Sequence, residues 1–308
     1  MRPARQPRPR HRLNSVDPLI IFFGLAVGVL VGLTGIGGGS LLTPLLILVV
    51  GVKPVVAIGT DLFYGAVTKT VGGWRHLRLG TVDLGVSGWM ALGSVPGSLL
   101  GVLTLNALQA SYGDAFESVL LGCVAAALLV VSLAILGRAV FLRVFGETEV
   151  VELTPRLKTS AVIIGLTLGA LIGLTSVGSG ALIGLALILV FRLTPHRVVG
   201  TDVFHAALLL WTAALAHLAS GNVDLALAGT LLLGSVPGVW LGTALLPMVP
   251  AAGLRPALGC VLLGAALGVL SKAGVEMPTA IIVGVPLGAG ALAFAVHRMR
   301  REEAVVPA

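Results

Sequence analysis

Only 11% of this 308-residue chain is charged, and acidic residues number just 13. A soluble domain carries roughly 25% charged residues, so there is too little polar side chain here to cover a water-facing globule. Cysteine occurs twice, at Cys123 and Cys260, each inside an apolar run, which leaves no disulfide framework and no paired-thiol metal motif. No His-Glu-x-x-His pattern occurs either, and His205 and His217 stand too far apart in sequence for a helical metal pair, so no metal site and no cofactor are expected. Acidic residues are missing altogether before Asp17, whereas Arg2, Arg5, Arg8, Arg10 and Arg12 crowd the same stretch. Much of the net charge of +7 therefore belongs to a tail and is no sign of nucleic-acid binding. A basic segment ahead of a first apolar run is a cytoplasmic anchor by the positive-inside rule. No Ala-x-Ala cleavage signal follows it, so it reads as uncleaved.

What fills the chain instead is apolar. Hydrophobic residues make up 56%, there are 42 glycines, and mean hydropathy is +1.05. Several runs approach the roughly 20 residues that a helix needs to cross a bilayer, and abundant glycine suits helices packed closely in lipid. The expectation is an all-α polytopic membrane protein lodged in a lipid bilayer, the bacterial inner membrane.

Shifted by 141 residues, the chain aligns on itself without a gap. Between Gly24 and Gly101 it matches its second half at 35 of 78 positions. Gly59-Thr60-Asp61 meets Gly200-Thr201-Asp202, His76 meets His217, and Gly93-Ser94-Val95-Pro96-Gly97 recurs as Gly234-Ser235-Val236-Pro237-Gly238. Shared Leu, Val and Gly content cannot bring Asp, His and Pro into register, so the two helical repeats are homologous. The chain divides into a basic tail (1–15), a first membrane repeat (16–137), a charged linker (138–158), a second repeat (159–272), and a final span with a charged C-terminus (273–308). Duplicated halves with a site where they meet are a common construction for secondary transporters.

Each repeat opens with an apolar stretch interrupted by glycine: Gly35-Ile36-Gly37-Gly38-Gly39-Ser40 in the first, Val177-Gly178-Ser179-Gly180 in the second. The first stretch, 17–51, would reach about 50 Å as a helix, too long for one span and short for two. A span followed by a short helix (40–51, and 181–191 in the second repeat) satisfies the length. If the short helices are re-entrant, each half has four spans and the total is eight to nine, which suits the basic residues at Arg75, Arg78 and the linker. If they cross, the repeats are inverted in topology and Arg75 and Arg78 face outward. Further helices are expected at about 54–74, 82–103, 115–137, 159–175, 195–217, 223–246, 256–271 and 279–296, with a loop at 104–114.

Residues in and beside the breaks are candidates for binding. A broken helix with bare amides at its start and glycines that allow close approach suits a small anion, so Gly35, Gly37, Gly38, Gly39 and Ser40, with Gly178, Ser179 and Gly180, form a candidate cradle. Tight helix packing explains such glycines equally well. Thr60-Asp61 and Thr201-Asp202 stand some 8–10 Å into the membrane, two turns past a helix-starting proline. A carboxylate there is costly and marks either proton coupling and gating or a cap on the broken helix. Lys69 either lines the anion's path or snorkels toward Arg75 at the interface. His205 shares a helix face with Asp202, as a proton partner or as a packed hydrogen-bond donor. His76 and His217, at helix ends, read as structural.

Taken together, Gly35-Ile36-Gly37-Gly38-Gly39-Ser40 with Pro44, Lys53-Pro54 with Ala57-Ile58-Gly59-Thr60-Asp61, and Arg75-His76-Leu77-Arg78-Leu79-Gly80-Thr81-Val82-Asp83 resemble the sulfite exporter TauE/SafE family of bacterial membrane transporters. The resemblance covers roughly residues 16–298, with a thinner glycine run in the second half. It implies a permease for sulfite, sulfonates or related small organic anions, and the intramembrane aspartates make protons the expected coupling ion. A passive anion channel is the alternative. An intramembrane serine hydrolase, for which Ser179 lacks the usual leading glycine, is the weakest reading, and the chain is not read as an enzyme.

Overall fold

In the computed structural model of the chain, residues 18–34, 39–141, 151–245, 248 and 251–303 are described. The basic tail, Gly35, Gly37 and Gly38 of the first break, and linker residues 142–150 lie outside the described residues. Eleven α-helices occur among those described: α1 (Pro18–Thr34), α2 (Gly39–Leu45), α3 (Pro54–Arg78), α4 (Leu84–Tyr112), α5 (Phe116–Phe141), α6 (Pro155–Thr175), α7 (Leu182–Leu189), α8 (Pro195–Ala219), α9 (Leu225–Leu245), α10 (Ala251–Lys272) and α11 (Thr279–Glu303). A π-turn, Leu46–Val50, extends α2.

The helix starts are written in local chemistry. Pro54, Pro155 and Pro195 each open a helix, where the missing N–H costs nothing and φ is already helical. The Asp83 carboxylate accepts from the Val86 amide at 2.9 Å, and Asp224 accepts from Leu227 at 2.9 Å. These bonds satisfy first-turn donors of α4 and α9 that have no helical partner. One sequence expectation is corrected: 104–112 is not a loop but the last two turns of α4. Asn106 and Gln109 interrupt the apolar run without interrupting helix geometry, and α4 stops only where Gly113 adopts a positive φ of 49°. Helix α3 likewise continues past Trp74 to Arg78.

Glycine sets how the helices pair. Gly24, Gly28 and Gly32 of α1 lie against the backbones of Leu231, Ser235 and Val239 of α9, and Gly234, Gly238 and Gly242 return the contact to Ile21, Leu25 and Val29. The same interlock recurs 141 positions away: Gly93, Gly97 and Gly101 of α4 meet Val162, Leu166 and Ala170 of α6. A four-residue glycine period puts one bare stripe along each helix, and two stripes facing each other let the backbones touch. Each half therefore lends its first helix to the other half.

These contacts also fix direction. The registers of α1 on α9 and of α4 on α6 both ascend, so each pair is parallel. Helices α3 and α8 are antiparallel, since Gly65 meets Leu210 while Gly72 meets Val203. Helix α3 runs with α9, because Gly59 and Thr60 in its second turn meet Asn222 and Asp224 at the start of α9, and Tyr64 further along approaches Ser235. Helices α1 and α3 thus point the same way. A half with a re-entrant short helix and four alternating spans would set α1 and α3 in opposite directions.

Four helical stretches are long and apolar enough to cross a membrane: 84–137, which Gly113 divides into α4 and α5, together with α6, α8 and α9. Shorter apolar helices accompany them at 18–33, 39–50, 256–272 and 279–293. Their outer faces carry exposed apolar side chains, among them Phe22 at 69% and Trp240 at 79% of full exposure. Surface of this kind is stable against lipid and not against water. The chain is a multi-pass membrane protein.

Candidate functional site

The two breaks meet each other inside the bundle. Gly39 lies within 2.9 Å, measured from an added Cβ, of both the Ser176 carbonyl and the Ser179 hydroxyl oxygen, so any side chain there would collide with the second break. The Gly178 amide donates to the Ser40 hydroxyl at 3.2 Å. In the second break Gly178 and Gly180 have φ of 107° and 138°, a conformation that side chains rarely adopt. Ser176 is held at φ 62° although it carries a side chain, a strained placement that its surroundings must enforce.

Asp61 supplies part of that enforcement. It is fully buried, and its Oδ2 accepts from the Thr43 hydroxyl at 2.5 Å, the Thr43 amide at 3.2 Å and the Ser176 hydroxyl at 3.0 Å. One carboxylate therefore ties α3 to α2 in its own half and to the break of the other half. Asp202, its equivalent, has lost those donors, because Gly184 stands where Thr43 would be. Its Oδ1 is buried without a hydrogen-bond partner among the described residues.

Lys69 does not snorkel. It is 6% exposed, and its ammonium turns inward to donate to the Ser179 carbonyl at 2.7 Å, bridging α3 to the second break. Both aspartates lie within electrostatic range of this cation, neither as close as an ion pair. Its equivalent in the other half is Leu210, so the cation is present on one side only. A buried cation with two buried carboxylates in reach is the charge balance that a low-dielectric interior demands.

Thr60 and Thr201 face away from this cluster. The Thr60 hydroxyl accepts from the Asp224 amide at 3.0 Å, and the Thr201 hydroxyl accepts from the Asp83 amide at 2.9 Å. His205 is 1% exposed, and both its ring nitrogens lack a partner among the described residues; it approaches the Ser87 backbone without reaching hydrogen-bond geometry. His217 is buried, with Nε2 at 2.9 Å from the Gly173 carbonyl, so it fastens α8 to α6. His76 pairs through Nδ1 with the Thr81 hydroxyl at 2.9 Å.

The structure thus brings together Gly39, Ser40, Gly178, Ser179, Asp61, Asp202, Lys69 and His205, and sends Thr60 and Thr201 to the neighbouring helix starts. Sequence reasoning missed Thr43, Ser176, Tyr64, Ser87, Ser94 and Ser235, all buried polar groups beside the cluster. Tyr64 was open to discovery, since the 141-residue offset lays it on His205. Ser94 and Ser235 sit in the repeated Gly-Ser-Val-Pro-Gly motif, whose matching register already set these two serines in equivalent places.

A family model for the sulfite exporter TauE/SafE matches residues 20–269 of the chain. The chain is 37% identical to the probable membrane transporter protein YjnA of Bacillus subtilis, over 79% of this chain and 96% of that one. It is 30% identical to a probable membrane transporter protein of Xylella fastidiosa, over 83% of this chain and 96% of that one. Sulfite exporter TauE/SafE family protein 1 of Arabidopsis thaliana is 37% identical over 30% of this chain and 20% of its own length. No solved structure matches the chain.

Proposed function

Because the chain belongs to the sulfite exporter TauE/SafE family, we propose that it is a secondary carrier moving a small anion, of the sulfite or sulfonate kind, across the inner membrane in exchange or symport with protons. The observation that carries this reading is the buried ammonium of Lys69, held at the Ser179 carbonyl where the two broken helices meet. A cation in that place attracts an anion into a region that otherwise repels all charge. The hydroxyls of Ser40 and Ser179 and the amides of Gly39 and Gly180 offer it hydrogen bonds, Gly178 joins the two breaks, and Gly35, Gly37 and Gly38 belong to the first of them.

Asp202 is the group that exchanges the proton. Its carboxylate is buried without hydroxyl donors and shares the interior with Lys69, so an entering anion competes with it for the ammonium, and protonation of Asp202 relieves the competition. Asp61 gates by structure: releasing the Thr43 and Ser176 bonds would let the two breaks part. Asp61, Lys69, Asp202 and His205 are all 6% exposed or less, which describes an occluded conformation. Opening to either face would follow from rocking one interlocked pair of helices against the other. The antiparallel crossing of α3 and α8 supports an inverted relation between the halves, whose exchange of conformations gives alternating access. The arginine-rich tail supports a cytoplasmic N-terminus.

The test is flux of labelled sulfite, thiosulfate and a sulfonate in vesicles containing the purified chain, with and without an imposed pH step. Movement of at least one of them, accelerated or driven uphill by the step, is expected. Flux indifferent to the step would replace the carrier with a passive channel, and no flux of any would remove the substrate class.

A further inference from the structure

Nine buried side-chain atoms lack a hydrogen-bond partner among the described residues. Buried polar groups are almost always satisfied, so such a concentration asks for a ligand or ordered water. Three of them, Asp61 Oδ1, Tyr64 OH and Ser235 Oγ, lie where α3 meets α9. The other six are Asp202 Oδ1, both His205 nitrogens, and the hydroxyls of Ser87, Ser94 and Ser179, where α8 meets α4 and the second break. The two groups correspond at the 141-residue offset: Asp61 with Asp202, Tyr64 with His205, Ser235 with Ser94. They are not alike in content. On the α3 side Asp61 is already bonded through Oδ2, and Ala228 stands where Ser87 would be. On the α8 side the carboxylate and imidazole have no hydrogen bond among the described residues, the extra serine is present, and Lys69 reaches across from α3.

We propose that the anion binds on one side of the bundle only, with Lys69 as its counter-charge and His205, Ser87, Ser94 and Ser179 as hydrogen-bond donors, while the α3 side is a structural copy that does not bind. This rests on the transport reading above and gives that site its location and specificity. Register supports a single lining: Asp202 and His205 are three apart on α8, Ser87 and Ser94 two turns apart on α4, and these two helices pack together. His205 lies against the backbone of Ser87. An ammonium, three hydroxyls and an imidazole on neighbouring elements suit an oxyanion with several oxygens on one centre, which accepts from several directions at once. A spherical halide has no such directional need.

The duplication supplies substitutions that the fold already tolerates once. Ser87→Ala and His205→Tyr install on the α8 side the residues found at the equivalent places on the α3 side. Tyr64→Phe and Ser235→Ala alter the α3 side. Binding of labelled sulfite, thiosulfate and a sulfonate to the purified full chain in nanodiscs would be measured by equilibrium dialysis, with thermal unfolding as the check on folding. The first two variants are expected to weaken binding by about tenfold or more each, and the second two by no more than about twofold. Excess chloride is expected to leave binding unchanged. Should His205→Tyr not fold, His205→Gln replaces it and is expected to weaken binding as well. Equal losses on both sides, or no loss on the α8 side, would overturn the one-sided site while leaving transport standing. Failure of the unaltered chain to bind any of the three anions would overturn the substrate reading and this site together.

Discussion

Thr60 holds the start of a helix in the opposite half: its hydroxyl accepts the Asp224 amide at 3.0 Å, and Thr201 does the same for Asp83 at 2.9 Å. The two bonds are reciprocal, each half capping the other, and Gly59 and Gly200 beside them leave room for the loop backbones at Asn222 and Thr81. Thr60→Ala and Thr201→Ala should each lower stability by about 1 kcal/mol, the usual worth of a cap. The double variant should lose about the sum, since the sites are far apart. Thermal or denaturant unfolding of the detergent-solubilised chain measures this, and no loss would make the caps incidental.

The glycine interlock predicts a steric threshold. A side chain at Gly28 would stand 2.7 Å from the Ser235 Cα, and one at Gly169 2.8 Å from the Ser94 Cα. Gly28→Leu and Gly169→Leu should force α1 off α9 and α6 off α4, seen as lost expression or aggregation on size exclusion. Gly229→Ala, where nothing lies within 4 Å, should be tolerated and gain at most about 0.5–1 kcal/mol from helix propensity.

The aspartates should separate by phenotype. Asp61→Asn replaces a carboxylate that accepts three bonds, so it should cost about 1–3 kcal/mol of stability and transport with it. Asp202→Asn removes no hydrogen bond seen here, and should leave the chain folded with flux that no longer responds to a pH step. Unfolding curves and vesicle flux on the same preparations distinguish the two. Identical behaviour of both variants would mean that the missing donors around Asp202 do not matter.

Lys69→Leu installs the residue present at the equivalent position, Leu210, so the volume is tolerated. It nevertheless removes the charge that balances Asp202 and the bond to the Ser179 carbonyl, and should cost about 1–3 kcal/mol. Lys69→Leu/Asp202→Asn should therefore recover stability relative to Lys69→Leu alone while transport stays lost. Recovery of flux in the double variant would remove Lys69 from the anion's path.

Lys272, at the end of α10, donates to the Ile47 carbonyl at 2.7 Å, where the π-turn leaves that oxygen without a helical donor. Lys272→Met should loosen α2 against α10 by about 1 kcal/mol, with the carbonyl then open to water. Faster hydrogen exchange confined to 46–52 would be the signature.

The chain by itself determined the class, the duplication and the helix starts. These follow from composition and from residues whose effect is local: Pro54, Pro155 and Pro195 open helices wherever they fall, and Asp83 and Asp224 cap whatever helix follows them. It also marked Asp61, Lys69, Asp202 and His205, because polar groups in an apolar run stand out without any structure. Tertiary structure alone decided that α1 pairs with α9 and α6 with α4, that α3 and α8 cross antiparallel, that Lys69 turns inward, and that Thr60 and Thr201 serve the opposite half. Lipid is the physical reason. A helix apolar on every side has no polar stripe to announce which face is buried, and a bond such as Thr60 to Asp224 spans 164 positions that no local pattern encodes.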